Sequence, residues 1–384
     1  MGQETQAQTQ TSASPALAPA PTPSSATAPD AAQPLSRGIL SRSRLRSIYK
    51  AAISILLALV VTSVLFIITG ANPLVAYYYM FYGAFGNTSF LIETLVRMSP
   101  ILFVSLGLGI AFKCKVWNIG AEGQLYIGAF LGAETAIFLG NSPLALPASI
   151  VLAILGGMGW AAIPALMKTQ LGINEVITTF LMNFVAIDLV TWFVSYPFRS
   201  TTADFPQSAT IPASAMLPIL IPHTRFHLGI AIALLAALPL VYFLMAKTTF
   251  GYKLRVVGEN PEAAKYGGIN VKKTIFLALI ISGALAGLAG LFEVEGIQFS
   301  VMTSLSPGYG YTGIAVALLG GNNPIGILLS SFFLAGIYNG SVNVSIQLGQ
   351  PSGIVSFIQG VLIIFVLGSE YIMRFLERKG VFKR

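Results

Sequence analysis

Eight apolar stretches, each long enough to cross a bilayer, alternate with short polar segments along most of this chain. They fall at Tyr49–Thr69, Thr94–Phe112, Gly120–Phe138, Ala148–Leu166, Val176–Val194, Phe226–Met245, Thr274–Phe292 and Gly353–Met373. At about 1.5 Å rise per residue, about 20 apolar residues in a helix span the roughly 30 Å hydrocarbon core. Two further stretches, Tyr311–Gly320 and Pro324–Asn339, form a broken pair. Between them, Leu319-Gly320-Gly321-Asn322-Asn323-Pro324 cannot sustain a lipid-facing helix, and irregular backbone at depth survives only inside protein or beside a water-filled cavity. The pattern predicts an all-α polytopic membrane protein with broken helices and about ten transmembrane helices, or eight without the broken pair.

Composition agrees with the pattern. The chain is 55% hydrophobic and 9% charged, with a mean hydropathy of +0.76, where soluble domains carry about 25% charged residues. Residues 1–36 differ: Ala, Pro, Ser, Thr and Gln dominate, with no apolar cluster to offset ordering entropy, which predicts a disordered cytoplasmic tail. Residues 37–384 are then the transmembrane domain. The first apolar run exceeds the usual signal-peptide core of about 7–15 residues and reads as an uncleaved anchor.

The net charge of +8 matters for its placement and implies no nucleic acid. With the amino terminus inside, 19 of the 22 Lys and Arg residues fall on inner segments: Arg37 to Lys50, Lys113 and Lys115, Lys168, Lys247 to Lys273, and Arg374 to Arg384. Outer loops hold Arg199 and Arg225, and Arg97 lies at the outer edge of the second span, where a long side chain snorkels outward. Both termini are therefore expected in the cytoplasm, with the chain in the cytoplasmic membrane.

Against this apolar background the polar residues stand out as candidates. Val116-Trp117-Asn118-Ile119-Gly120-Ala121-Glu122-Gly123-Gln124 is polar and glycine-rich between two apolar runs, near the inner end of a span. A carboxylate at bilayer depth needs a partner or a wet cavity, so Asn118, Glu122 and Gln124 are candidates for the inner half of the solute pathway, or only brace the helix of the largest inner loop. Asn174 and Glu175 lie at another inner end, and Asn183 and Asp188 deeper in the fifth span. The last two are five residues apart, about 140° in direction around a helix, so they cannot both face one narrow lumen. Asp188, in the outer half, is the better candidate for meeting a polar solute.

Other features exclude chemistry. No Gly-Lys-Ser/Thr occurs, so the chain carries no phosphate-binding loop of its own. His223 and His227 are four apart, but they sit in an outer loop broken by Pro212, Pro218 and Pro222; they read as surface or interfacial residues, and no metal site is expected. The single cysteine, Cys114, reads as a bystander. Gly283, Gly287 and Gly290 predict a close helix contact within the chain. Tyr77, Tyr78, Tyr79, Phe81 and Tyr82 predict an interfacial helix on the outer side. Gly109-Ile110-Ala111 before Asn118-Ile119-Gly120, and Gly313-Ile314-Ala315 before Asn323-Pro324-Ile325-Gly326, form a weak internal echo of the kind that frames a central site in transporters.

The largest inner loop, residues 247–273, predicts a two-turn helix. Asn260 is its N-cap, Pro261 its first residue and Glu262 lies in its first turn; Gly267 or Gly268 ends it, and Ala263 and Ala264 leave a flat surface for a partner.

The pattern Gly258-x-Asn260-x-x-Ala263-Ala264-x-x-x-Gly268-Ile269 resembles the permease subunits of ABC importers for nucleosides and simple sugars, a superfamily shared with the branched-chain amino acid permeases. Asn118 to Gln124, Ile173-Asn174-Glu175-Val176-Ile177 with Asn183, and Ala317 to Gly326 share the likeness, which runs from about Thr94 to Gly368. The resemblance implies that Gly258, Asn260, Ala263, Ala264, Gly268 and Ile269 couple to an ATP-binding subunit. It implies a transport subunit with no catalytic residue of its own, with ATP and Mg bound by two partner ATPase subunits. It also implies a second permease, the same or different, and an extracytoplasmic solute-binding protein. Nucleosides come first as solute because Asn-Ile-Gly-Ala-Glu-Gly-Gln is similar to the nucleoside branch. The alternatives are a proton-coupled secondary transporter using Glu122 or Asp188, which leaves the capped loop unexplained, and a membrane-embedded enzyme, for which catalytic groups at a common depth are lacking.

Overall fold

A computed structural model describes residues 56–57, 59–351 and, beyond them, 353, 356–358, 360–361, 364–365 and 368. The expected tail over 1–36, the basic cluster from Arg37 to Lys50 and the final basic run from Arg374 to Arg384 lie outside the described residues. The described residues are helical, with two isolated β-bridges joining Gln207 to Met302 and Ile219 to His227.

In chain order the helices are α1 (Leu59–Ile68), α2 (Pro73–Phe85), α3 (Thr88–Lys113), α4 (Ala121–Leu139), α5 (Ala145–Leu171), α6 (Glu175–Ser195), α7 (Leu228–Lys247), α8 (Thr249–Glu259), α9 (Pro261–Tyr266), α10 (Val271–Gln298), α11 (Tyr309–Leu319) and α12 (Pro324–Leu348). Among the described residues, α3, α5, α6, α7, α10 and α12 are long and apolar enough to cross a membrane; α1 and α2, bent by 117°, make a seventh if they count as one span. The chain is a multi-pass membrane protein, and the six or seven such helices among the described residues fall short of ten.

The broken pair is unequal. α11 is short, whereas α12 runs on past Asn339, where the sequence pattern stops the apolar run. Its polar residues there are satisfied by α2 and α3: Asn339 Nδ2 donates to the Gly83 and Phe90 carbonyls at 3.0 and 3.1 Å, and Asn343 Nδ2 to the Tyr79 carbonyl at 2.8 Å. Tyr77 to Tyr82 do lie on one helix, α2, capped by Asn72.

α3 is buried over most of its length, and it is the helix the others surround. α4, α5 and α10 approach one another backbone to backbone through glycine. A Cβ on Gly283 would collide with the Gly157 carbonyl, one on Gly287 with Ala153 and one on Gly290 with Leu125. The predicted small-residue contact is thus internal to the chain. Gly109 packs against Ile327 of α12, and Gly313 against Val104 and Leu108 of α3.

One end of the bundle gathers Lys113, Lys168, Lys247, α8, α9 and the start of α10. There Lys168 Nζ pairs with Glu175 Oε2 at 2.6 Å, and Arg255 donates to the Met245 carbonyl at 2.5 Å. At the other end residues 199–227 are fastened over the end of α10: the Ser208, Ile211 and Leu217 amides donate to the carbonyls of Val301, Phe299 and Glu295, each at 2.9 Å. Arg225 pairs with Glu93.

Two expectations for the non-basic end are corrected. Arg97 turns inward, donating to the Tyr309 hydroxyl at 3.0 Å and lying over the Tyr338 ring, because a buried phenol and an aromatic face engage its guanidinium. His227 is buried against Gly296, and that burial holds its imidazole down at about 4; His223 alone is exposed.

Candidate functional site

After α3 the chain reverses at Cys114 and Lys115, the latter at φ 55, and re-enters the bundle as irregular backbone before α4 begins. Asn118 Nδ2 donates to Ser282 Oγ at 3.0 Å, and Ser282 lies eleven residues into α10, about 17 Å from the basic end at helical rise. The stretch therefore lies deeper than the sequence places it. Irregular backbone at that depth must be satisfied by protein, and side chains engage the Ile119 and Gly120 amides and the Ile119 carbonyl.

Asn118 and Gln124 exchange amide hydrogen bonds at 2.9 and 3.1 Å, and Asn118 Oδ1 also accepts from the Gly120 amide at 3.0 Å. Asn183 on α6 accepts from the Gly123 amide at 2.8 Å and donates to the Ile119 carbonyl at 2.8 Å and to the Tyr311 hydroxyl at 3.3 Å. Thr179 Oγ1 accepts from the Ile119 amide at 3.1 Å. Glu122 Oε2 accepts from the Gly310 amide at 2.6 Å, so its carboxylate caps the amino-terminal turn of α11, where free amides and the helix dipole favour negative charge. Asn118, Glu122, Gln124 and Asn183 are at most 2% exposed.

These four residues lock α4, α6, α10 and α11 together, and none of them faces open space. The side-chain contacts of Asn118 to Gln124 run to α6, α10 and α11 and not to the helix of the inner loop. Their partners Ser282, Thr179, Tyr311 and Gly310 were not singled out; Ser282 carried a signal, being the lone hydroxyl of an apolar run from Ile275 to Phe292.

The remaining pathway candidates separate. Asn174 is the N-cap of α6, its Oδ1 accepting from the Val176 amide at 2.9 Å, and Glu175 is buried in its pair with Lys168; both sit at the basic end. Asp188 is exposed, on a different face of α6 from Asn183, as the helical angle predicts.

The predicted helix over the inner loop is α9. Asn260 Oδ1 accepts from the Glu262 and Ala263 amides at 3.0 and 3.1 Å, Pro261 opens the helix, and Gly267 ends it before Gly268 at φ 76. The sequence missed α8, which precedes it; its signal was Thr248 as cap and Gly251, Leu254, Val257 and Gly258 at helical spacing, the residues it buries. The six named residues do not share one surface. Gly258 packs on the Lys113 carbonyl, where any Cβ would collide, and Ala264 is fully buried with its carbonyl accepting from the Ile269 amide at 2.9 Å. Ile269 is half-buried, whereas Asn260, Ala263 and Gly268 are exposed. The expected flat pair of alanines is one outward alanine, Ala263, between the Glu262–Lys265 pair at 2.7 Å and a projecting Tyr266.

Among the described residues no group of three His, Cys, Asp or Glu side chains could hold a metal. Cys114 donates to the Ala111 carbonyl at 3.1 Å, and burial pushes its thiol up to about 12.

Residues 90–367 match the family described as branched-chain amino acid transport system / permease component. The chain is 35% identical to the guanosine ABC transporter permease protein NupP of Bacillus subtilis, over 88% of this chain and 99% of that protein. It is 34% identical to the glucose ABC transporter permease protein TsgB13 of Haloferax volcanii, over 85% of this chain and 90% of that one. With the nucleoside ABC transporter permease protein NupB of Lactococcus lactis the identity is 30%, over 84% and 92%. No solved structure matches.

Proposed function

This chain belongs to the branched-chain amino acid transport system permease family, and from that premise we propose that it carries a nucleoside across the cytoplasmic membrane as one permease of an ABC importer. Two of the three relatives above are named for nucleosides or guanosine and one for glucose, which favours a nucleoside over a simple sugar. The observation that carries the coupling role is α9: a capped helix on the basic end, held from behind by Gly258 and Ala264 and presenting Ala263 outward.

On this reading the basic end and both termini are cytoplasmic, and about ten helices cross the membrane in all. Two ATP-binding subunits, holding ATP and Mg, dock on α9 through Asn260, Ala263 and Gly268, while Gly258, Ala264 and Ile269 anchor the element. Closure of that pair displaces α9. Gly258 passes the push to the end of α3, and Asn270, which caps α10 by accepting from the Lys273 amide at 2.9 Å, passes it to α10. The buried network then keeps α4, α6, α10 and α11 moving as a body.

A second permease completes the pathway, and an extracytoplasmic binding protein delivers the solute. Bacillus subtilis has two different chains named guanosine ABC transporter permease, NupP and NupQ, which supports a pair. Nothing favours proton coupling through Glu122, whose carboxylate is committed to the Gly310 amide.

The test is purification in mild detergent followed by ATP-driven uptake in proteoliposomes, offering guanosine, a pyrimidine nucleoside and glucose in competition. The expected result is an ATP-binding subunit in the purified complex and guanosine uptake that glucose does not compete away. Uptake driven by a proton gradient without ATP would refute it.

A further inference from the structure

We propose that the outward face of α6 lines the solute path and that Asp188 is its specificity-determining group, accepting hydrogen bonds from a nucleoside whose base lies against the aromatic rings beside it. This rests on the importer reading above.

α6 has two faces of opposite character. One is fixed: Asn183 and Ala186 press on Gly123, and Val190 and Val194 are buried. The other is bare, carrying Phe180, Leu181, Phe184, Val185 and Trp192 at 42 to 54% exposure. At about 100° per residue Asp188 lies roughly 40° from both Phe184 and Trp192, so it belongs to the bare stripe. Thirteen residues from the start of the helix and seven from its end, it is about 20 Å from the basic end and about 10 Å from the other. Among the described residues no hydrogen bond or ion pair engages its carboxylate.

Such a position does not suit a lipid-facing helix. An ionisable side chain within a span faces the bundle interior or water, since lipid cannot solvate it. Asp188 points away from its own bundle, so the water must lie outside this chain, between it and a second permease. The bare stripe is then pathway wall, and its fixed back keeps it rigid.

The chemistry of the stripe selects the solute. Phe184, about one turn before the carboxylate, meets Phe180 edge to face at 5.2 Å, and Trp192, about one turn after it, has its ring 6.4 Å from that of Tyr196. An ionised carboxylate only accepts hydrogen bonds, so it favours a solute with donors, base N–H and ribose O–H. Exposed rings on both sides favour a planar base, which stacks whatever its edge. A hexose supplies the hydroxyls without the flat face.

The experiment uses the complete importer, with its ATP-binding subunits, in proteoliposomes. Asp188→Ala is expected to cut guanosine uptake by about tenfold or more, the loss of a hydrogen bond to a charged group, with the ATP-binding subunit still recovered and the melting temperature unchanged. Trp192→Leu is expected to raise KM for guanosine with kcat preserved. In a Cys114→Ala background, Asp188→Cys is expected to react with a charged, water-soluble thiosulfonate, and guanosine to slow that reaction. Labelling by a membrane-soluble maleimide alone, or normal uptake by Asp188→Ala with the ATP-binding subunit present, would overturn the proposal. Absence of ATP-driven uptake in the unaltered complex would instead sink the importer reading, and the proposal with it.

Discussion

Asn118 and Asn260 do the same local chemistry in opposite surroundings. Each accepts from a backbone amide two residues on, Gly120 for one and Glu262 for the other, at 3.0 Å in both cases. Asn118 is 0% exposed and ringed by Gln124 and Ser282, while Asn260 stands in the open at the basic end. Around Asn118 the fold pairs the polar groups with one another, because an orphan there has no water to turn to. At the end of the bundle the same cap leaves an outer face free. The polar stretch from Asn118 to Gln124 is thus spent on contacts within the fold, and the surface proposed for a partner is a modest capped helix.

That contrast can be tested by removing partners on each side. The largest effect is expected for Asn183→Ala, which leaves both the Gly123 amide and the Ile119 carbonyl buried and unpaired. At about 1–3 kcal/mol for each orphaned group, thermal unfolding in detergent should show a loss of about 2–6 kcal/mol, with little folded protein recovered. Glu122→Ala orphans one amide, that of Gly310, and should cost about 1–3 kcal/mol by the same measurement. Glu122→Gln retains an acceptor; it should cost less and preserve ATP-driven uptake, an outcome a proton carrier could not give.

On the exposed side, Asn260→Ala removes a cap worth about 0.5–2 kcal/mol to a two-turn helix. Its global melting temperature should barely move, while recovery of the ATP-binding subunit should fall, as a pull-down would show. The smallest effect belongs to Glu262→Ala. Its pair with Lys265 is well exposed on both sides, so stability should change by only about a few tenths of a kcal/mol in the same unfolding assay.

Local signals were legible in the sequence. The apolar lengths gave α3, α5, α6, α7 and α10 but not the number of spans, Asn260-Pro261-Glu262 with Gly267-Gly268 gave α9, and simple helical arithmetic separated Asn183 from Asp188. What was hidden depends on pairing over long distances along the chain. Glu122 meets a residue 188 positions away, Asn118 one 164 away, and no periodicity encodes either contact. The same holds for Arg97, whose partner Tyr309 turns it inward, and for α12, whose length depends on Asn339 and Asn343 finding carbonyls on α2. The orientation of neighbouring alanines was also out of reach: only the packing of α9 on the bundle shows that Ala264 faces in and Ala263 out.

The most direct measurement is the amount of ATP-binding subunit recovered per folded permease carrying Ala263→Glu, with the melting temperature read on the same sample. A charge at the outward alanine should abolish recovery and leave melting where it is in the unaltered chain. Full recovery of the ATP-binding subunit with Ala263→Glu would mean that α9 does not present the docking surface, and the division between a buried brace and an outward coupling face would fail.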